Sequence, residues 1–229
     1  MKNLKLAFVF LLSIFIGEQV NAQDWANFER YRSDNEKIGM PQTDENRVVF
    51  MGNSITDGWI TNCPDYFSDN PYVDRGISGQ TTPQMLVRFR ADVINLKPVV
   101  VTILAGTNDI AGNTGPSTLE MIADNIFSMA ELAKSNGIKV ILSSVLPVYD
   151  YPWKPGLEPA DKIVQLNEMI KTYADSHKML YLDYYSSMVD DRKGMKAEYS
   201  KDGVHPNKAG YEVMMDLCTQ AIQEVLVNP

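Results

Sequence analysis

The fold of this chain is decided by Val48-Val49-Phe50-Met51-Gly52-Asn53-Ser54-Ile55-Thr56-Asp57-Gly58. The apolar residues 48–51 predict a buried strand that ends at Gly52, and small polar residues then lead into a helix. A serine at this junction lies at the carboxyl edge of a parallel sheet, where open α/β folds bind their ligands. Ser54 is therefore a candidate nucleophile, although Ser54 or Thr56 could instead serve as a helix cap.

Strand and helix patterns alternate along the rest of the chain. The segment 98–105 is almost wholly apolar and β-branched, which indicates a strand covered by helices on both faces. Ser117 and Glu120 form a predicted capping box for the helix that Gly137 ends. The alternation predicts one α/β domain with a parallel sheet between helices. Strands are predicted at 48–52, 72–75, 98–105, 139–145 and 179–183, and helices at 24–38, 83–93, after 117, after 160 and after 207.

The composition excludes some classes of partner. The chain has 229 residues and a formal net charge of −8, with no compensating run of Lys or Arg. A protein that binds nucleic acid needs a basic face to displace counterions from the phosphates. Nucleic acids and polyanionic membrane surfaces are therefore disfavoured as partners, and a small-molecule or glycan substrate is favoured.

The first 22 residues resemble a signal peptide. Lys2 and Lys5 precede the apolar run 6–16, and the small residues at 20–22 fit a cleavage site. The run is too short to span a bilayer, so no stable membrane insertion is expected. We therefore expect a periplasmic or extracellular protein whose single domain is 23–229, with a buried N-terminal helix as the alternative.

The chain contains two cysteines, Cys63 and Cys218. Export would permit a disulfide, but two cysteines do not make a disulfide scaffold. Cys218 lies on the apolar face of the last predicted helix, which favours a buried free thiol.

Polar, glycine-bearing turns follow three successive strands, at 52–58, 76–82 and 106–109. In a parallel sheet these turns meet at one edge, and a fourth polar turn at 202–205 precedes the last helix. Small turns with free N–H groups suit acyl transfer, which needs an exposed nucleophile and donors around an oxyanion. The sequence has no His pair at ligand spacing and no Cys cluster, so no metal site is predicted. No cofactor is expected.

Two histidines are available as a base. His177 lies at a helix end, where an interaction with the helix dipole is a sufficient explanation. His205 follows Asp202 by three residues, so the carboxylate can accept the Nδ1–H of the imidazole and leave Nε2 free for a hydroxyl proton. Taken alone, this spacing is also common in purely structural turns.

The four turns together resemble the SGNH (GDSL-type) hydrolases, a family of esterases and lipases that includes bacterial lysophospholipase-like and platelet-activating-factor-acetylhydrolase-like enzymes. The resemblance extends over the whole predicted mature chain. The blocks that carry it, in family order, are Gly52-Asn53-Ser54-Ile55-Thr56, the Gly79 turn, Gly106-Thr107-Asn108-Asp109 and Asp202-Gly203-Val204-His205-Pro206.

The resemblance implies a three-layer α/β/α sandwich with a five-stranded parallel sheet in the flavodoxin-like order 2-1-3-4-5. It also implies that Ser54 is the nucleophile, His205 the general base and Asp202 its orienting acid. The oxyanion hole would comprise the backbone N–H groups of Ser54 and Gly79 and the side-chain amide of Asn108. The residue types suit these roles, since glycine leaves its N–H open and an amide donates without charge.

One position departs from the family pattern. Asn53 stands where the family's Gly-Asp-Ser form has Asp, and we expect the turn to survive because Asn keeps a polar, turn-forming side chain. Asp57 and Asp109 are better explained as caps or turn braces than as reacting groups. Arg75 could pair with a carboxylate near the site or brace the turn after Gly76, and the brace is the favoured interpretation.

The expected activity is that of an exported serine esterase that forms an acyl-enzyme on Ser54. The proline-rich loop 146–159 carries Tyr149, Tyr151 and Trp153, which could form a rim that stacks on sugar rings or could simply be core. A short acyl group, with acetyl favoured, is the expected substrate, carried by a carbohydrate or another small molecule. A lysophospholipase or thioesterase acting on longer chains and a non-catalytic carbohydrate-binding module remain as alternatives, and the oligomeric state is left open.

Overall fold

The computed structural model of the protein describes residues 24–227, and the predicted signal peptide at 1–22 lies outside the described residues. In the described part, all strand pairs of the central sheet are parallel, and the strand order is β2-β1-β3-β4-β5. This confirms the predicted architecture and strand order. The strands are β1 (Val48–Gly52), β2 (Tyr72–Gly76), β3 (Val100–Leu104), β4 (Lys139–Ser143) and β5 (Leu180–Leu182).

Helices follow the strands as the alternation predicts. The helix predicted over 24–38 begins only at Glu29. The capping box predicted for Ser117 and Glu120 is wrong, because Thr118 is the N-cap and its side chain accepts a hydrogen bond from the N–H of Met121. The helices are α1 (Glu29–Ile38), α2 (Ser54–Asn62), α3 (Pro64–Ser68), α4 (Thr82–Asp92), α5 (Thr107–Ile110), α6 (Leu119–Ser135), α7 (Ala160–His177), α8 (Tyr185–Met188) and α9 (Lys208–Val227), with a 3₁₀ turn at Ile94–Leu96.

The sheet is covered on both faces, as its apolar strands require. Side chains alternate along β1, so that Val49 and Met51 pack with α4, α6 and α7. Val48 and Phe50 point to the opposite face and pack with α2, α3 and α9. All four of these β1 side chains are at most 1% exposed. Burial on both faces makes β1 and its neighbour β3 the centre of the three layers.

The strand register brings the polar turns to one edge of the sheet. Gly52 pairs with Gly76 of β2 and with Leu104 of β3, so the three strands end at the same level. The first turn of α2 lies directly against this edge. A Cβ atom on Gly76 would be 2.1 Å from the backbone nitrogen of Asp57, and one on Gly52 would be 1.9 Å from Oγ1 of Thr56. Glycine is therefore required at both strand ends.

Cys63 and Cys218 are both buried and are not joined by a disulfide. Cys218 lies on the inner face of α9, as its position in the helical pattern predicts. Among residues 24–227, no helix combines the length and apolar character that crossing a bilayer demands.

Candidate active site

Ser54 is the first residue of α2 and stands at the carboxyl end of β1. Asn53 is the N-cap of this helix, and its side-chain oxygen accepts a hydrogen bond of 3.2 Å from the N–H of Ile55. The cap is therefore Asn53, which leaves the Ser54 hydroxyl available for another partner. Asn makes this bond without a charge, which explains why the turn is intact with Asn at this position.

A chain of hydrogen bonds joins Ser54 to His205 and Asp202. Oγ of Ser54 lies 3.0 Å from Nε2 of His205, and Nδ1 of His205 lies 2.7 Å from Oδ2 of Asp202. With Nδ1–H donating to the carboxylate, Nε2 is the acceptor that faces the hydroxyl. The imidazole is thus placed to take the serine proton and to be stabilised as imidazolium by Asp202.

The turn at 202–205 is fixed by hydrogen bonds to Asp202. Its Oδ1 accepts from the N–H groups of Val204 and His205, at 2.9 and 2.8 Å. Burial raises the pKa of Asp202, but the hydrogen bonds from the ring and backbone of His205 and from Val204 outweigh it, so that the pKa falls to about 2. Asp202 is therefore ionised at neutral pH, as an orienting acid must be.

Ser200 is a brace that the sequence did not reveal. Its hydroxyl donates to the carbonyl of His205 at 2.7 Å and accepts from the N–H of Gly203 at 2.9 Å. These two bonds join Ser200 to both ends of the segment 203–205 and so hold the turn closed. A serine two residues before an aspartate carries no distinctive sequence signal, because such residues are common in any turn.

Gly79 lies in the exposed turn that follows β2, and β2 pairs with β1, the strand that precedes Ser54. Its φ of +80° is a left-handed conformation, and the N–H of Gln80 donates to the carbonyl of Ile77 at 3.2 Å to close the turn. A Cβ atom on Gly79 would have no heavy atom within 4 Å, so this side of the turn is open. Asn113 fixes the Gly79 carbonyl through a hydrogen bond of 3.1 Å.

Asn108 lies in the short helix α5 at the end of β3. Gly106, with φ of +121°, provides the bend, and a Cβ there would approach Cδ2 of Leu166 at 2.8 Å. The Asn108 side chain is 4% exposed, and its Nδ2 donates to the carbonyl of Gln80 at 2.9 Å. An amide nitrogen carries two hydrogens, so one remains after this bond.

The three aromatic residues of the 146–159 loop differ in their exposure to solvent. Tyr151, predicted as a possible rim residue, is fully buried, and its hydroxyl donates to the carbonyl of Thr107 at 2.8 Å. It belongs to the support of α5 and not to a rim, which corrects the prediction. Trp153 is 48% exposed, and its ring centroid lies 6.0 Å from that of His205. Tyr149 is 55% exposed and packs under the guanidinium of Arg192.

The remaining charged candidates of the sequence are structural. Asp57 accepts hydrogen bonds from Ser78 and Arg30, and Asp109 accepts from Thr82. Arg75 stacks on the ring of Tyr31 and donates to the carbonyl of Asp74 and to Oδ1 of Asn35, so that it joins β2 to α1. His177 ends α7, where its ring stacks on Tyr173.

No metal centre is built into this edge or elsewhere in residues 24–227, where no group of three or more His, Cys, Asp or Glu side chains is arranged to hold an ion. What the edge does contain is a hydroxyl, an imidazole and a carboxylate, beside the exposed turn at Gly79. These groups together suit nucleophilic attack on a carbonyl carbon.

Comparison with known proteins identifies the family of this chain. Residues 50–213 match the model of the GDSL-like Lipase/Acylhydrolase family. The chain belongs to this family. Membership confirms the resemblance found in the sequence and the predicted class of enzyme, a carboxylic ester hydrolase.

Individual relatives agree with this assignment. A proposed acylhydrolase from Bacteroides fragilis is 51% identical, and the alignment covers 89% of this chain and 99% of that one with a TM-score of 0.88. Esterase TesA of Pseudomonas aeruginosa is 27% identical over 171 residues, which are 72% of this chain and 78% of TesA. An acetylxylan esterase from Xylanibacter ruminicola is 26% identical over 223 residues, with 81% of this chain but only 45% of that protein covered.

Asp109 gives a testable pH dependence at this site. The side chain is 3% exposed, and burial raises its pKa to about 6 despite the hydrogen bonds from the hydroxyl and N–H of Thr82. Its folded pKa lies above the ordinary value, so its stabilising contribution is complete below about pH 4 and is lost as the pH rises through 6. Relative to Asp109→Asn, the wild-type free energy of unfolding should fall between pH 4.5 and pH 7 by on the order of 1 kcal/mol or more.

Urea unfolding at the two pH values measures this difference. Asp183→Asn is the control, because Asp183 is an exposed carboxylate that caps the N–H of Ser186. The prediction is wrong if the free energy of unfolding of the wild type, relative to that of Asp109→Asn, stays constant or increases from pH 4.5 to pH 7. That result would mean that Thr82 keeps Asp109 ionised.

Proposed function

We propose that the protein is an exported serine esterase that removes short acyl groups, acetyl above all, from carbohydrate. The observation that carries the proposal is the hydrogen-bonded chain Ser54–His205–Asp202 at the carboxyl edge of the sheet, with separations of 3.0 and 2.7 Å. Each neighbour pair is within the distance over which a proton can be transferred or an imidazolium stabilised. A binding module without turnover would have no need of this arrangement.

The proposed reaction has two halves. His205 takes the proton of Ser54 through Nε2 while Oγ attacks the ester carbonyl, and then gives the proton to the leaving alcohol. Water, activated by the same imidazole, attacks the acyl-enzyme and releases the acid. Asp202, whose pKa is about 2, remains ionised and stabilises the imidazolium in both halves.

Three donors surround the oxygen that becomes negative. The N–H of Ser54 belongs to the first turn of α2, where backbone N–H groups have no partner within the helix. The N–H of Gly79 lies in an exposed turn, and the Asn108 amide keeps one hydrogen after its bond to Gln80. Aimed at the tetrahedral intermediate, such donors stabilise charge that is absent in the substrate.

The surroundings of the site favour a short acyl group on a larger alcohol. The side chains of His205 and Asp202 are 38% and 41% exposed, so the site is open to solvent. Met85 and Phe89 of α4 are at most 1% exposed and belong to the core, so they do not line an apolar groove for an acyl chain. Trp153 instead offers an exposed ring beside His205, and flat aromatic faces suit sugar rings. The similarity to an acetylxylan esterase supports this choice.

Export is proposed from the leader-like residues 1–22. The similarity of this chain to a Bacillus subtilis lipoprotein, 33% identical over 120 residues that cover 45% of this chain, is in keeping with a protein that acts outside the cytoplasm.

The first test compares the purified protein with Ser54→Ala in the hydrolysis of p-nitrophenyl acetate. Removal of the nucleophile should lower kcat by about 10⁴-fold or more while the circular dichroism spectrum is unchanged. Ser186→Ala, which removes an exposed hydroxyl bonded to Asp183, is the control and should keep full activity. Equal rates in wild type and Ser54→Ala would mean that Ser54 is not the nucleophile, and the proposal would be abandoned.

A series of p-nitrophenyl esters tests the length of the acyl group. Since Met85 and Phe89 of α4 are buried in the core, kcat/KM should be highest for the acetyl or butyryl ester and should decline with longer chains. A maximum at the octanoyl ester or beyond would exclude the short-chain proposal and favour an acylhydrolase for lipids or thioesters.

The role of Trp153 is tested with acetylated xylo-oligosaccharides and with ethyl acetate. Loss of a stacking ring in Trp153→Ala should raise KM for the oligosaccharide about 5- to 10-fold and leave kcat/KM for ethyl acetate within about twofold. Met121→Ala is the control, because Met121 is a large apolar side chain of similar exposure, 54% against 48%, on α6. Equal losses on both substrates would show that Trp153 supports His205 and does not bind sugar.

A further inference from the structure

Gln80 is the residue after Gly79, and it is 4% exposed although its side chain is polar. Each of its hydrogen-bonding groups has a partner inside the protein. Its backbone N–H donates to Ile77 O at 3.2 Å, its carbonyl accepts from Asn108 Nδ2 at 2.9 Å, its Oε1 accepts from Arg88 Nε at 2.6 Å, and its Nε2 donates to Ala26 O at 2.8 Å.

Arg88 extends this network to the ends of the strands. Its side chain is fully buried, and Nη2 donates to the carbonyl of Gly52 at 3.1 Å and to the carbonyl of Arg75 at 2.9 Å. Gly52 is the last residue of β1 and precedes Ser54 by two positions. Nη1 of Arg88 donates to Asp92, so the buried guanidinium has a carboxylate partner within α4. A charge-assisted network of this kind holds its members rigidly.

All three proposed oxyanion donors are therefore joined through one side chain and its backbone. Gly79 is bonded covalently to Gln80, and Asn108 is held by the Gln80 carbonyl. Arg88, which is bonded to Gln80 Oε1, holds the carbonyl of Gly52 at the end of β1, two residues before Ser54. The fourth connection leads to Ala26, which is 2% exposed.

We propose that Gln80 is a positioning residue for the oxyanion hole, and that it acts through the hydrogen bonds of its own side chain to Arg88 Nε and to the carbonyl of Ala26. The inference rests on the proposed esterase function. Its physical basis is that an oxyanion hole works by preorganisation, since donors that must first reorient give up part of the stabilisation they offer to the transition state.

A residue that merely fills hydrogen bonds in the core would affect stability but not the turnover of folded protein. The two roles are separated by substitutions at Gln80 and at Gln84. Gln84 also donates to the N-terminal segment, from Nε2 to the carbonyl of Trp25 at 2.7 Å, but its oxygen only caps α4 at Thr81. Gln80→Met and Gln84→Met each remove one such amide without adding charge, and Gln80→Glu keeps the acceptor for Arg88 while it loses the donor to Ala26.

The measurements are kcat and KM for p-nitrophenyl acetate, the melting temperature, and inhibition by methylboronic acid. The boronic acid forms a tetrahedral adduct with a reactive serine and so reports on transition-state binding apart from turnover. In Gln80→Met, kcat per active site should fall about 10- to 100-fold with KM within about threefold of wild type. The inhibition constant of methylboronic acid should increase by a similar factor in Gln80→Met. In Gln84→Met, kcat and the inhibition constant should both stay within about twofold of wild type.

The outcomes are distinguishable. The proposal would be overturned if folded Gln80→Met kept the wild-type kcat and the wild-type inhibition constant. It would also be overturned if kcat fell only in Gln80→Glu, because that loss would be an effect of the added charge. Equal losses in Gln80→Met and Gln84→Met, or failure of both Gln80 variants to fold, would make the role structural and would also overturn it. Absence of Ser54-dependent turnover in the wild type would instead refute the esterase function, and it is detected before any Gln80 variant is made.

Discussion

The close approach of the first turn of α2 to the ends of β1 and β2 is the constraint on which the site depends. Two glycines make it possible, because a Cβ at Gly52 or Gly76 would lie about where Thr56 and Asp57 now are. Ser54 is thereby fixed by backbone packing and not by the conformation of a long side chain. The other turns are aligned to it by the level ends of the strands.

Most of the fold could be predicted because the signals are local. Strands apolar on both faces and helices of regular period need no knowledge of distant residues. The errors occur at the ends of elements and in short helices. Ser117 and Thr118 are both good caps, and only the packing of α6 decides that Thr118 is used. The helices α3 and α5 are too short to show a period.

The site was predictable where chemistry is concentrated in one turn. Asp202 and His205 lie three residues apart, and the structure brings them to Ser54 as expected, while their catalytic roles remain predictions. Exposure in the 146–159 loop was not predictable. Tyr151 and Trp153 differ because only the former reaches the space beneath α5. Gln80 and Arg88 were missed because their partners are distant in sequence, and an isolated polar residue gives no sign of burial.

The contact between Ser54 and His205 joins residues 151 positions apart. Ser54 lies in the first turn of α2, whereas His205 lies in the turn that precedes α9. The two side chains therefore meet only when the 202–205 turn is folded against the carboxyl edge of the sheet. The proposed general base is absent from Ser54 in an unfolded chain, so the proposed reactivity belongs to the folded domain and not to the Ser54 segment itself.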